Sequence, residues 1–170
     1  MLAHMQESGS LMQRTNDVEN EIHVRDVIET DFDQWRLLWE QYNAFYGRTG
    51  ATALSDEIVV TAWRRLLDPR EPVHCLIAEY EDQPVGLAHF IFHRNMITIE
   101  NTCYLQDLFS IASMRGKGIG RRLIAEFYER SKIAGTTGVY WHTHSSNQTA
   151  MRLYDTIATN TGFVVYRKSL

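Results

Sequence analysis

Met114-Arg115-Gly116-Lys117-Gly118-Ile119-Gly120-Arg121-Arg122 sets three glycines at alternate positions among four basic residues. A strand-like apolar run, Tyr104 to Ile111, leads into it, and a helix-like run, Ile119 to Lys132, leads away. Strand, glycine loop and helix start together describe an anion site. Glycine lets backbone N–H groups turn toward a phosphate, and the helix N-terminus adds a favourable dipole. The loop reads as the cradle of a pyrophosphate-bearing cofactor.

Outward from the loop, Ile119, Leu123, Ile124 and Phe127 mark the buried face of its helix, and Gly135-Thr136-Thr137-Gly138 stops it. Val139 to Thr143 reads as a strand. Ser145-Ser146-Asn147 then caps a helix bearing Ala150, Leu153, Tyr154 and Ile157, and Asn160-Thr161-Gly162 ends it. Phe163 to Lys168 reads as a last strand. On the other side of the loop, Val73 to Tyr80 and Val85 to His93 form a hairpin across Glu81-Asp82-Gln83-Pro84. Before it come two amphipathic helices. One is capped at Thr30 or Asp31, with Phe32, Trp35, Leu38, Trp39, Tyr42 and Phe45 on one face. The other is capped at Ser55 and ended by Asp68-Pro69. Ile22 to Arg25 is a short first strand, and residues 1–20 are expected to be a disordered leader.

The totals narrow the function. At 170 residues the chain fits one domain, residues 21–170, of α/β (α+β) class. A net charge of −4 argues against general nucleic-acid binding and mildly suits a cationic substrate. No apolar run approaches the roughly 20 residues of a membrane span, and Met1 to Glu21 lacks a signal-peptide core. Cys75 and Cys103 lie on apolar strands and read as buried free thiols. A cytoplasmic protein is the expectation.

The glycine spacing excludes two common nucleotide loops. No Gly-Lys-Ser/Thr closes a Walker-type loop, and glycines at 116, 118 and 120 do not make G-x-G-x-x-G. Arg115-x-x-Gly118-x-Gly120 resembles instead the Arg/Gln-x-x-Gly-x-Gly/Ala signature of the GNAT (Gcn5-related) N-acetyltransferases. Asn147-x-x-Ala150-x-x-Leu153-Tyr154, then Gly162-Phe163, resembles that family's second segment. The resemblance covers about residues 21–170. Around Tyr104 to Phe109 and Tyr140 to Thr143 it is nearest to the diamine acetyltransferases and to the small yeast-type enzymes associated with histones, polyamines or D-amino acids.

The resemblance implies a mixed, mostly antiparallel sheet of six or seven strands with about four helices. Its central strand, Tyr104 to Ile111, would be bulged and splayed to admit acetyl-CoA. It implies that the backbone of Leu108, Phe109 and Ser110 binds the pantetheine arm and thioester carbonyl. The loop from Arg115 through Gly116, Lys117, Gly118, Ile119 and Gly120 to Arg121 would take the pyrophosphate. Asn147 would bond the pantetheine arm, and Tyr154 would protonate the leaving thiolate. By periodicity alone Tyr154 reads as a core tyrosine, and Asn147 as a plain N-cap; the motif match reverses the reading of Tyr154.

The general base of the diamine enzymes does not carry over, because their Leu-Glu-Asp is Leu105-Gln106-Asp107 here and glutamine takes no proton. His142, His144, Glu100 and water stay open as alternatives. His142 and His144 share a strand face, but no third ligand completes a metal site. Tyr42, Tyr46 and Arg48 are the candidate acceptor-binding groups. The rings suit an ammonium and the guanidinium suits a carboxylate. The activity implied is transfer of acetyl from acetyl-CoA to a primary amine of a small molecule or peptide, by direct attack in a ternary complex. A non-catalytic acyl-CoA-binding module of the same fold is the alternative. The apolar run Phe163 to Tyr166 could pair across a homodimer.

Overall fold

The computed structural model describes residues 21–169, so the leader expected over residues 1–20 lies outside the described residues. The elements run β1 (His23–Asp26), α1 (Phe32–Phe45), α2 (Asp56–Leu67), β2 (Val73–Tyr80), β3 (Gln83–His93), β4 (Thr102–Ser110), α3 (Ile119–Ile133), β5 (Val139–Trp141) and α4 (Gln148–Tyr154). Local chemistry sets their ends. Ser55 accepts the Ile58 N–H at the start of α2. Glu81 and Asp82 turn the β2–β3 hairpin with φ of 50° and 58°, the left-handed pair that a two-residue hairpin requires.

The five strands lie in sequence order in one sheet; β1 to β4 are antiparallel and β5 joins β4 in parallel. Helices cover both faces. α3 packs Leu123, Ile124 and Phe127 against Leu76, Ala88, Phe90, Cys103 and Leu105. On the opposite face α1 and α2 pack Trp35, Trp39 and Trp63 against Cys75, Ile77, Leu87 and Phe109.

The sequence reading placed six or seven strands; the described residues form five. The missing one is the run Phe163 to Lys168, which lies outside any ladder and is exposed. A strand needs a partner's edge as well as apolar residues. Here Gly162, at φ 76°, redirects the chain after α4. β5 also ends at Trp141, short of Thr143.

The expected bulge is present in β4. His89 pairs with Asp107 and Phe90 with Leu105, leaving Gln106 without a partner. The extra residue exchanges the strand's faces. Cys103 and Leu105 pack beneath α3, whereas Asp107 and Phe109 face α1 and α2. Unbulged, these four positions would share one face.

Candidate active site

β4 and β5 are paired only from Cys103↔Val139 to Leu105↔Trp141. Beyond the bulge they part, and a cleft of about 610 Å³ opens in the gap. Leu108, Phe109 and Ser110 form its β4 wall. They pair with β3 on one edge, and their other edge has no strand partner.

Arg115, Gly116, Gly118, Ile119, Gly120 and Arg121 close one end of the cleft. Gly116 and Gly118 hold φ of 77° and 89°, which side chains rarely adopt. Among the described residues the N–H groups of Gly116, Gly118, Ile119, Gly120 and Arg121 find no internal acceptor. The first helical bond of α3 is Arg122 N–H to Gly118. The first turn of α3 has no acidic residue and carries Arg121 and Arg122, against the helix dipole. A local rule broken this way fits an anion held between the N–H groups and the guanidinium. The loop residues therefore suit a pyrophosphate.

α4 supplies the facing wall. Asn147 caps it, its Oδ1 accepting from Ala150 N at 3.3 Å, which leaves the amide NH₂ to donate into the cleft. The Tyr154 ring meets Trp141 at 5.3 Å between centroids. Its hydroxyl has no hydrogen-bond partner among the described residues, and the residue lines the cleft. Burial pushes the Tyr154 phenol up to about 12.

α1 adds Tyr42, Phe45 and Tyr46 to the lining, and the Arg115 guanidinium lies over the Phe45 ring, 5.7 Å from its centroid. Arg48, Lys117, His144 and Glu100, singled out by sequence, are not at the cleft wall. Arg48 donates to Asn43 Oδ1 at 2.8 Å, and Lys117 Nζ lies 3.5 Å from Met114 Sδ. His142, one of the open candidates for the base, lines the cleft. Three groups went unread. Phe45 was assigned to the core, but it is 56% exposed and lines the cleft. Behind it lies a buried pair, His89 and Asp107, whose Nδ1 and Oδ2 are 2.8 Å apart. The β3–β4 hairpin register was the one signal that could have brought those two together.

A cleft at a strand split, with a glycine loop and an unpartnered phenol in its lining, has the form that an acyl-CoA-dependent transferase needs. Residues 32–157 match the Acetyltransferase (GNAT) family, and the chain belongs to that family of acetyl-CoA-dependent acyltransferases. It is 30% identical over 154 residues to the D-amino-acid N-acetyltransferase HPA3 of Saccharomyces cerevisiae, over 89% of this chain and 93% of that one. The aminoglycoside acetyltransferase meta-AAC0020 from an uncultured soil metagenomic sample, in complex with sisomicin, shares the fold. Its TM-score is 0.77 at 16% identity, over 90% of this chain and 99% of that one. AAC(6')-Iy in complex with a bisubstrate analogue gives a TM-score of 0.74 at 17% identity, over 88% and 98%.

Proposed function

We propose that this N-acetyltransferase moves acetyl from acetyl-CoA to a primary amine of a small molecule or peptide by direct attack in a ternary complex. One observation carries the reading. The open edge of β4, the loop with its unpaired N–H groups and Tyr154 with its unpartnered hydroxyl all line one cleft. The loop and Arg121 hold the pyrophosphate, the Asn147 amide holds the pantetheine arm, and the backbone of Leu108 to Ser110 binds the thioester carbonyl. Tyr154 donates its hydrogen bond to the departing sulfur. Direct attack is favoured because neither cysteine lines the cleft, and burial pushes the Cys103 thiol up to about 11.

The acceptor is an amine of polyamine, lysine or amino-acid type. The likeness to a D-amino-acid N-acetyltransferase supports including amino acids. Two buried, free thiols support a reducing, cytoplasmic setting. The exposed run Phe163 to Tyr166 supports a homodimer. The test is thermal shift with acetyl-CoA, followed by thiol release over spermidine, a lysine peptide, and D- and L-amino acids. Stabilisation with thiol release from one class supports the reading. Stabilisation with no release from any class would show a non-catalytic acyl-CoA-binding module.

A further inference from the structure

We infer that His142 is the catalytic base that takes the proton from the acceptor amine, with Tyr104 as the positioning residue for its imidazole. The inference rests on the transferase reading of the same cleft.

The lining of the cleft narrows the choice. Among the described residues it holds no aspartate, glutamate or lysine. Its titratable groups are Tyr42 and Tyr46 of α1, Arg115 and Arg121 of the loop, Tyr154 of α4, and His142. Phenols ordinarily ionise near about 10 and guanidinium groups above about 12, so both keep their protons at neutral pH. Of these side chains only an imidazole ordinarily changes charge between about pH 5 and 8. Gln106 lines the cleft but takes no proton, and Glu100 and His144 stand outside the lining.

The fold brings His142 to the split. β5 pairs with β4 up to Leu105↔Trp141, and His142 is the next residue. In the same register the residue across from it on β4 is Gln106, the unpaired bulge residue. His142 therefore stands where the two strands begin to part, and the open β4 edge from Leu108 to Ser110 lies further along.

The imidazole is held on one side. Its Nδ1 lies 3.4 Å from the Tyr104 hydroxyl. The Tyr104 and Tyr140 rings lie 5.3 and 5.6 Å from it between centroids, and the two phenol rings stack on each other at 5.0 Å. The Tyr140 hydroxyl is engaged with His93 Nε2 at 3.0 Å, so it does not compete for His142. Burial pushes the Tyr104 phenol up, which keeps it protonated. Its oxygen accepts from Nδ1–H, which places the hydrogen of the neutral imidazole on Nδ1. Nε2 has no partner among the described residues and keeps its lone pair for a proton. Once His142 is charged, the Nδ1–H bond persists and the neighbouring phenol rings favour the cation.

An amine that arrives as ammonium gives one proton to Nε2. The freed nitrogen lone pair forms the C–N bond as the C–S bond breaks and sulfur takes the bonding pair. The second proton of that nitrogen balances the thiolate, and His142, which is exposed, returns its own to water.

Thiol release at saturating acetyl-CoA is measured from about pH 5 to 9 for the wild type and His142→Gln. The acceptors are spermidine, a lysine peptide, and D- and L-phenylalanine. Ionisation of the amine itself acts on both proteins alike, so the ratio of their rates isolates the imidazole. That ratio is expected to be on the order of 10² at pH 8. It is expected to shrink at least about fivefold by pH 5, because only the neutral imidazole accepts a proton. A ratio below about 10 at pH 8 overturns the inference and leaves water as the base. A ratio that is flat with pH also overturns it, since a structural part would give that result. Tyr104→Phe keeps the ring and removes the oxygen. Its acid limb is expected at lower pH than in the wild type, because the imidazolium loses an acceptor; an unmoved limb overturns the role of Tyr104. The acetyl-CoA thermal shift, read for every protein, shows that the variants are folded. No thiol release from the wild type with any acceptor would sink the transferase reading itself.

Discussion

At the residue scale, Tyr154 satisfies two readings that the sequence left in competition. Its ring packs against Trp141, as a core residue's would, and the residue lines the cleft with an unpartnered hydroxyl, as a proton donor would. Helical spacing alone does not separate these, because one side chain with an apolar body and a polar tip does both. Burial has a kinetic consequence. With its phenol pushed up to about 12, Tyr154 stays protonated from pH 7 to 10, and its donor form is lost only as pH rises through that value. Tyr154 therefore contributes no alkaline limb to kcat in that window. Tyr154→Phe is expected to lower kcat on the order of 10²-fold, with acetyl-CoA affinity and the pH 7–10 profile unchanged. Steady-state kinetics across that range checks it. A limb near pH 9 that disappears in the variant would contradict it. Gln106 was legible only as a missing base. Its structural role as the unpaired bulge residue depends on the partner strand's register, which no single residue reveals.

At the scale of elements, the helices were legible because each carries its own signals. Ser55 and Asn147 cap α2 and α4 as their side chains suggest, and Trp35, Leu38 and Trp39 mark the buried face of α1. The exchange of faces in β4 was not legible. Cys103, Leu105, Asp107 and Phe109 keep a perfect period of two across the bulge, so the sequence shows one buried face where there are two. The contact that sets α3 on the sheet was equally hidden. A Cβ on Gly86 would lie 2.6 Å from the Phe109 carbonyl oxygen and 2.8 Å from Ile119 Cγ2. Gly86→Ala must push α3 or β4 aside, at a cost of about 1–3 kcal/mol. A lower urea midpoint with an unchanged m-value, and a raised KM for acetyl-CoA, are expected; a midpoint equal to the wild type would refute the contact's importance. A second device ties β1 and β2 to the turn before α1. Arg25 bonds both oxygens of Asp31 at 2.6 and 2.9 Å and Glu79 at 2.6 Å. The Arg25 hydrogen bonds hold the Asp31 carboxyl low despite its burial. The Asp31 contribution to stability is thus present above its unfolded value of about 3.9 and is lost as pH falls through the lower folded one. Asp31→Asn should cost roughly 1–3 kcal/mol at pH 7. Its gap from the wild type should close as the pH drops below about 4, where the wild-type carboxyl also becomes protonated. Urea titrations at neutral and acid pH measure both effects.

At the scale of the whole molecule, the sequence yielded the layered α/β plan and the glycine loop, because local periodicity and glycine spacing encode them, whereas the strand split came only from the resemblance to the GNAT family. The fate of the last apolar run was not encoded, since a strand is completed by an edge that lies elsewhere. Phe163 and Tyr166 are each 92% exposed, a state that solitary surface residues tolerate but a contiguous apolar run rarely keeps. The edge strand β5 offers backbone groups on the side away from β4. Within the β3–β4 connection Met96, Ile97 and Ile99 are also 90% exposed or more. In the proposed homodimer a second copy of the chain would cover the run from Phe163 to Tyr166. Among the described residues, none from 160 to 169 belongs to either packed core or to the cleft wall. A chain truncated before residue 160 is therefore expected to keep its acetyl-CoA thermal shift while its mass by light scattering falls from dimer to monomer. A full-length chain that is monomeric at micromolar concentration would refute the dimer. A truncated chain that is still dimeric would move the interface away from this segment.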